Sequence, residues 1–249
     1  MILNINKPVG ITSYDVIREL KKKYPGQKIG HAGTLDPLAG GVLICLVGTD
    51  STKKQSEFME CPKAYEFEVL FGFKTDTYDI LGLADDFSAY SPEVVLDQTK
   101  KSLKVYVGKI KQKVPPFSAV KVNGKQLYRW YLDGQIDQVE IPVKDIEIEK
   151  IEILESHILT RDEMKKRILE LVNTVKKGFR QDKVKDKWED VLSKTQQENF
   201  LLVKIRATVS KGTYVRAIAN DLGEKLGTGA CTMSITRTRV GKYDIKYAV

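Results

Sequence analysis

GHAGTLDPLAGG, residues 30–41, is the stretch on which the reading of this chain turns. It sets one carboxylate, Asp36, in a glycine-rich loop, with His31 upstream and Pro37 immediately after. Pro37 restricts Asp36 to extended or polyproline-like backbone angles. Gly30, Gly33, Gly40 and Gly41 allow tight turns and close approach of a ligand to the backbone. A carboxylate held at a fixed angle beside open space suits a nucleophile or a base. Asp-Pro among glycines is also ordinary turn chemistry, and the segment alone does not separate the two readings.

On either side the apolar pattern alternates between strand and helix. ILNI, residues 2–5, reads as a strand and KPVG as a turn; Thr12 and Ser13 are placed to cap a helix over 14–23 with Val16, Ile17 and Leu20 inward. Residues 42–47 and 64–73 read as strands, and TDTYDILG as a polar loop. A helix is expected over 91–104, with Pro92 in its first turn. Asn123-Gly124 marks a hairpin turn, followed by a short helix over 126–132 that stops near Gly134. Two more strands are expected at 146–154 and 200–209, then a helix carrying Ile218, Ala219 and Leu222 that ends near Gly227. The pattern predicts an α+β fold.

Between the strands at 146–154 and 200–209 lies a charged helical hairpin. Met164, Ile168, Leu171, Val172 and Val175 fall at helical spacing, as do Val184, Trp188, Val191 and Leu192, with Gly178 between the two sets. Amphipathic stripes of this kind pack on a domain and leave a solvated outer face. Its basic residues, Lys176, Lys177, Arg180, Lys183, Lys185 and Lys187, also offer phosphate contacts, diluted by Asp182, Asp186, Glu189 and Asp190.

Composition narrows the function. The 249 residues can bury a substantial core in one large domain or two small ones, and 30% of them are charged. The net charge of +8 favours a polyanionic partner such as nucleic acid. No apolar run approaches the roughly 20 residues that span a bilayer, and the first residues do not form a signal peptide. Cys45, Cys61 and Cys231 are scattered and odd in number, which points to the cell interior. With only His31 and His157 beside them, a zinc cluster is not expected. No GxxxxGK[ST] or strand-borne GxGxxG supports a nucleotide cofactor.

KGTYVR, residues 211–216, puts Tyr214 and Arg216 at the start of a helix, where Arg216 is either a surface charge or the partner of a buried carboxylate, in which case it would keep Asp36 ionised. Tyr65, close after Lys63 at the start of a strand, suits either strand packing or a stacking platform for a flipped base.

Five segments together resemble a known family. NKPVGITS (6–13), GHAGTLDPLAGGVL (30–43), KAYEFEVLFGFKTDTYD (63–79), PPFSAVKVNGKQLY (115–128) and KGTYVRAIANDLGEKLGTGA (211–230) occur in the order seen in bacterial tRNA pseudouridine synthases of the TruB type. The resemblance covers nearly all of the chain except about 155–199. It implies a mixed, mainly antiparallel sheet with flanking helices and a catalytic cleft across it. It further implies that Asp36 is the essential aspartate and Arg216 its ionic partner. By the same resemblance Tyr65 lies against the target base, Tyr214 contacts substrate, and Ile235 stands where the family often has leucine against that base. His31 matches the histidine that fills the space left by the extruded nucleotide.

The resulting expectation is one catalytic domain over 1–249 with a helical insertion at about 157–198 and no C-terminal PUA-like RNA-binding domain. The implied activity is conversion of the uridine at position 55, in the tRNA T loop, to pseudouridine by a cytoplasmic monomer without cofactor, metal or membrane. A catalytically silent tRNA-binding or RNA-folding protein would share the basic surface and the aromatics. A hydrolase would want a second placed carboxylate, for which Asp76 and Asp79 are the candidates.

Overall fold

The computed structural model describes residues 1–86, 89–176 and 178–249; Lys177, one of the basic residues of the hairpin, lies outside them. Strand β1 (Ile2–Lys7) runs through the KPVG turn into helix α1 (Ser13–Lys23). Next come β2 (Ile29–Ala32), β3 (Ala39–Val47) and two short helices, α2 (Thr49–Thr52) and α3 (Gln55–Glu60). β4 (Lys63–Phe71) bends at Gly72 into β5 (Phe73–Thr75), which pairs with β6 (Ala84–Asp86). Helix α4 (Pro92–Leu103), β7 (Gly108–Lys113), the hairpin of β8 (Lys121–Val122) and β9 (Lys125–Gln126), and α5 (Leu127–Leu132) lead to the long β10 (Val143–Thr160). Helices α6 (Arg161–Thr174) and α7 (Gln181–Lys194) precede β11 (Asn199–Val209), α8 (Val215–Leu226), β12 (Ala230–Val240) and β13 (Tyr243–Asp244).

One nine-stranded sheet organises the chain in the order β1-β3-β12-β4-β11-β10-β7, with β2 on β3 and β13 on β12. Its pairs are antiparallel except β12 with β3, where Ile235, Thr236 and Arg237 run parallel to Ala39, Gly40 and Gly41. The expected mixed, mainly antiparallel sheet is present.

Period-two side chains sort the two faces. Phe67, Val69 and Phe71 of β4 and Leu201, Val203 and Ile205 of β11 pack with helices α1, α4 and α8. Their neighbours Leu70, Phe200 and Leu202 turn to the other face, where Met164, Ile168 and Val172 of α6 and Val184, Trp188 and Val191 of α7 cover them. The helical insertion is therefore a layer of the core. Toward its edge the same face carries ion pairs: Arg167 of α6 with both oxygens of Glu68 at 2.6 and 2.7 Å, and Arg206 with Glu66 at 2.7 Å.

Local chemistry sets the element ends. Thr12 and Asp15 form a capping box at α1, and Thr160 with Glu163 forms another at α6. The Asn123-Gly124 turn takes positive φ at both residues, as a two-residue hairpin requires.

Several boundaries differ from the sequence reading. Residues 30–41 are not one loop: His31 lies in β2, paired across from Cys45, and Gly40 and Gly41 begin β3, so only 33–38 loop out. β10 continues to Thr160, because pairing with β11 sustains it beyond its apolar stretch, and the insertion starts there instead of at 157. β7 and β12 were not anticipated. β7 reads GKIKQK, too polar to declare itself, while bulges between Thr232 and Ser234 and between Arg237 and Arg239 break the alternation of β12.

Trp188 is fully buried, its indole N–H donating to Ile80 O at 3.0 Å and its ring edge-on to Phe73. Trp188→Ala should lower unfolding free energy by about 3–5 kcal/mol. Urea titration followed by circular dichroism checks this; a loss below about 1 kcal/mol, the scale of an ordinary point mutation, would show that α7 does not anchor the core.

Candidate active site

The 33–38 loop is held from below by the segment that precedes α1. Ser13 Oγ accepts from Leu35 N at 2.8 Å and donates to Leu35 O at 3.1 Å; Gly10 N donates to Pro37 O at 2.8 Å. Lys7 is fully buried, and its ammonium donates to Pro8 O at 2.9 Å and to Ile11 O at 2.5 Å, fixing the KPVG turn. Burial pushes that ammonium down to about 8, with the charges of Asp36 and Asp15 acting against the fall. The NKPVGITS segment is thus the scaffold of the Asp36 loop.

From the other side comes Arg216, in the first turn of α8. Its Nε donates to Asp36 Oδ2 at 2.9 Å and its Nη2 to Asp36 Oδ1 at 3.3 Å, a two-pronged pair. Nη1 donates to Thr77 O at 2.5 Å and Nη2 also to Phe117 O at 3.0 Å. The two partners differ in access: the Arg216 side chain is 4% exposed and that of Asp36 is 39% exposed. The carboxylate is locked on one side and open on the other. Gln112, buried on β7, fixes the entry to α8 by donating to Tyr214 O at 3.1 Å and accepting from Tyr214 N at 2.8 Å.

Asp79 is the second counter-charge, its Oδ2 3.8 Å from Arg216 Nε. It is buried, and its Oδ1 accepts from the Thr77 hydroxyl at 2.6 Å and from Leu81 N at 3.0 Å. Asp76 accepts from Arg180 at 3.0 Å and from Leu83 N at 2.8 Å. Neither is a free second carboxylate beside Asp36, which removes the geometric support for a two-carboxylate hydrolase.

Asp36 opens on a cleft of about 600 Å³, within the usual size for a site that encloses a small ligand. Tyr65, Tyr214, Arg216 and Ile235 line it together with Asp36. His31 is not among the lining residues. It sits on β2, its imidazole held below its ordinary pKa by burial and by the charge of Arg237, and Nδ1 has no hydrogen-bond partner among the described residues.

Arg237 was not anticipated from sequence. Fully buried, it donates from Nε to Val42 O at 2.7 Å and from Nη2 to Gly33 O at 3.0 Å, and its Nη1 is 3.5 Å from the Tyr65 hydroxyl. It ties the loop, β3 and Tyr65 together. Gly41 beside it has φ +97°, and a Cβ there would lie 2.2 Å from Arg237 O, so the parallel contact of β3 and β12 requires glycine. Thr77, Asp79, Phe117, Phe179 and Arg180 also line the cleft without having been singled out for it. Among the described residues no group of three or more His, Cys, Asp and Glu side chains is placed to hold a metal ion, and no helix is long and apolar enough to cross a membrane.

Comparison with known proteins adds a family. Residues 21–169 match the TruB family pseudouridylate synthase (N terminal domain). The tRNA pseudouridine synthase B of Fusobacterium nucleatum subsp. nucleatum is 37% identical over 247 residues, covering 98% of this chain and 69% of that protein. The tRNA pseudouridine synthase B of Protochlamydia amoebophila is 36% identical over 242 residues, covering 97% and 74%. Among solved structures, a chain of a Cbf5-Nop10-Gar1 complex superposes with a TM-score of 0.58 at 21% identity. That match covers 98% of this chain and 49% of the other, and it speaks for the fold alone.

Burial pushes the Asp79 carboxyl up to about 6, with the Arg216 charge and the Thr77 hydroxyl pulling the other way. The folded chain therefore holds a proton at Asp79 more tightly than the unfolded chain, whose carboxyl titrates near 3.8. The stability this proton contributes is complete below the unfolded value and is lost as pH rises through about 6. Urea unfolding across that window should show the wild type losing stability relative to Asp79→Asn as the pH rises. A difference that does not change with pH would contradict the assignment.

Proposed function

The chain belongs to the TruB family of pseudouridylate synthases, and we propose that it converts a uridine of the tRNA T loop, position 55, to pseudouridine with Asp36 as the catalytic carboxylate. The observation that carries this reading is the pairing of Asp36 with Arg216: a carboxylate oriented by a buried guanidinium, with its free side facing a cleft lined by Tyr65, Tyr214 and Ile235. The names of the relatives supply the tRNA, and the net charge of +8 suits it.

The reaction breaks the bond from ribose C1′ to N1, turns the base and joins C1′ to C5. N1 gains a proton and the C5 hydrogen leaves to water, so no electron or phosphoryl donor is consumed. The target nucleotide must leave its stack, at a cost of a few kcal/mol. Tyr65 offers its ring as a stacking surface, and Ile235 and Tyr214 bound the base from other sides. His31 fills the place the nucleotide vacates, which requires it to be reached from outside the cleft. Asp36 meets the extruded nucleotide with its exposed edge while Arg216 keeps the other edge occupied.

Release of tritium from C5-labelled uridine in tRNA tests the reading. Wild type should release the label, and Asp36→Asn should lose activity by about 100-fold or more, the scale of acid–base groups, while still binding tRNA. An Asn variant within about tenfold of wild type would remove Asp36 from the chemistry. No release by wild type would favour a silent RNA-binding protein.

Tyr65 is separable by substitution. Stacking is worth about 1–3 kcal/mol per base, so Tyr65→Ala should weaken single-turnover rates by that amount and Tyr65→Phe should keep them. Severe loss in both would assign the work to the hydroxyl beside Arg237; full activity in both would take Tyr65 out of the site.

A further inference from the structure

The helical insertion does more than cover the sheet, because its tip enters the cleft. Gly178, Phe179 and Arg180 line the same cavity as Asp36 and Tyr65. Arg180 takes φ 60°, a left-handed conformation that a side-chain-bearing residue keeps only when its surroundings hold it. Its Nη1 donates to the mostly buried carboxylate of Asp76 at 3.0 Å, and its guanidinium lies 4.7 Å from the centre of the Phe117 ring. Phe117 in turn packs on Tyr131 of α5, with ring centres 4.5 Å apart, and its carbonyl accepts from Arg216 Nη2 at 3.0 Å.

A second path runs from the end of α6. Lys176 N donates to Gly10 O at 2.9 Å, and Gly10 N donates to Pro37 O, next to Asp36. A Cβ on Gly10 would lie 2.2 Å from Thr174 O, so the KPVG turn and α6 meet backbone to backbone. The insertion therefore touches both halves of the central ion pair: Asp36 through Gly10 and Pro37, Arg216 through Arg180 and Phe117.

We propose that the tip of the insertion is a structural part of the active site, and that Arg180 is a positioning residue that fixes Phe117 and the 117–134 segment against Arg216. This rests on reading the cleft as the site of pseudouridine formation. Four of the hairpin's basic residues already face acidic partners. Arg180 is paired with Asp76, Lys176 stands 3.8 Å from Asp15, Lys185 3.6 Å from Asp182, and Lys187 3.4 Å from Asp85.

Arg180→Ala decides it with three readouts. Single-turnover tritium release at saturating tRNA should fall by about 10- to 100-fold, the scale of a misplaced catalytic geometry. The tRNA affinity and its salt slope should hold. Hydrogen exchange of the 117–134 amides should accelerate while that of β4 and β11 does not. Wild-type rate with wild-type exchange would overturn the proposal. So would weakened tRNA binding with a flatter salt slope and full rate at saturation, which would make Arg180 a phosphate contact. Should Arg180→Ala not fold, Phe117→Leu removes the ring beneath the guanidinium and keeps the Asp76 pair, and a wild-type rate with wild-type exchange would again overturn the proposal. If wild type itself releases no tritium, the functional reading fails, while the exchange pattern still decides the role of Arg180.

Discussion

A guanidinium that water hardly reaches sets the terms for this molecule. Arg216 is always charged, and burying it is tolerable only if its charge and its N–H groups are satisfied. Asp36 and Asp79 supply the charge, and the carbonyls of Thr77 and Phe117 take remaining donors. These four partners come from three stretches of chain: the 33–38 loop, the segment after β5 that carries both Thr77 and Asp79, and the residues before β8. Arg216 thus gathers three loops around the first turn of α8. Removing it would leave Asp79 a buried, uncompensated carboxylate, so the same contact serves folding and site geometry.

The two carboxylates are kept distinct by environment. Asp79 is enclosed, hydrogen-bonded to Thr77 and Leu81, and pushed toward its neutral form by burial. Asp36 shares the arginine but keeps an open edge, because Pro37, Ser13 and Gly10 hold its loop from behind. Arg237 supports the loop from a third side through Gly33 O and meets β3 at Gly41, the last pair of the parallel register between β12 and β3. The parallel pair brings Ile235 and Arg237 alongside the loop, which is how a residue late in the chain comes to line a cleft built around Asp36.

Much of this was legible in the residues, for reasons that can be named. The α1 cap, the Asn123-Gly124 turn, the strand at β11 and the two stripes of the helical hairpin are local signals, and local chemistry decides them. Asp36 stood out as a carboxylate between glycines and Arg216 as a candidate partner at a helix start, yet each had an ordinary local reading, and it was the family resemblance that joined them. Arg237 and Gln112 did not stand out. Each is a polar residue whose burial depends on partners far away in sequence: Arg237 on Val42 and Gly33, Gln112 on Tyr214. No window of sequence contains both ends of such a bond. β2 was hidden for the same reason, since IGHA becomes a strand only because β3 lies beside it. The reach of the insertion into the cleft follows from a left-handed Arg180 and from Gly10, neither of which has a periodic signature.

The central claim is that the planar fork of Arg216, not merely its charge, makes Asp36 competent. Arg216→Lys keeps the positive charge and loses the two-pronged geometry. The direct measurement is single-turnover tritium release from C5-labelled tRNA at saturating enzyme, run beside an equilibrium tRNA-binding titration of the same variant. The account predicts a rate lowered by about 100-fold or more, as for other misaligned catalytic groups, with affinity close to that of wild type. A lysine variant that turns over at a near-normal rate would contradict it and leave Arg216 a structural charge.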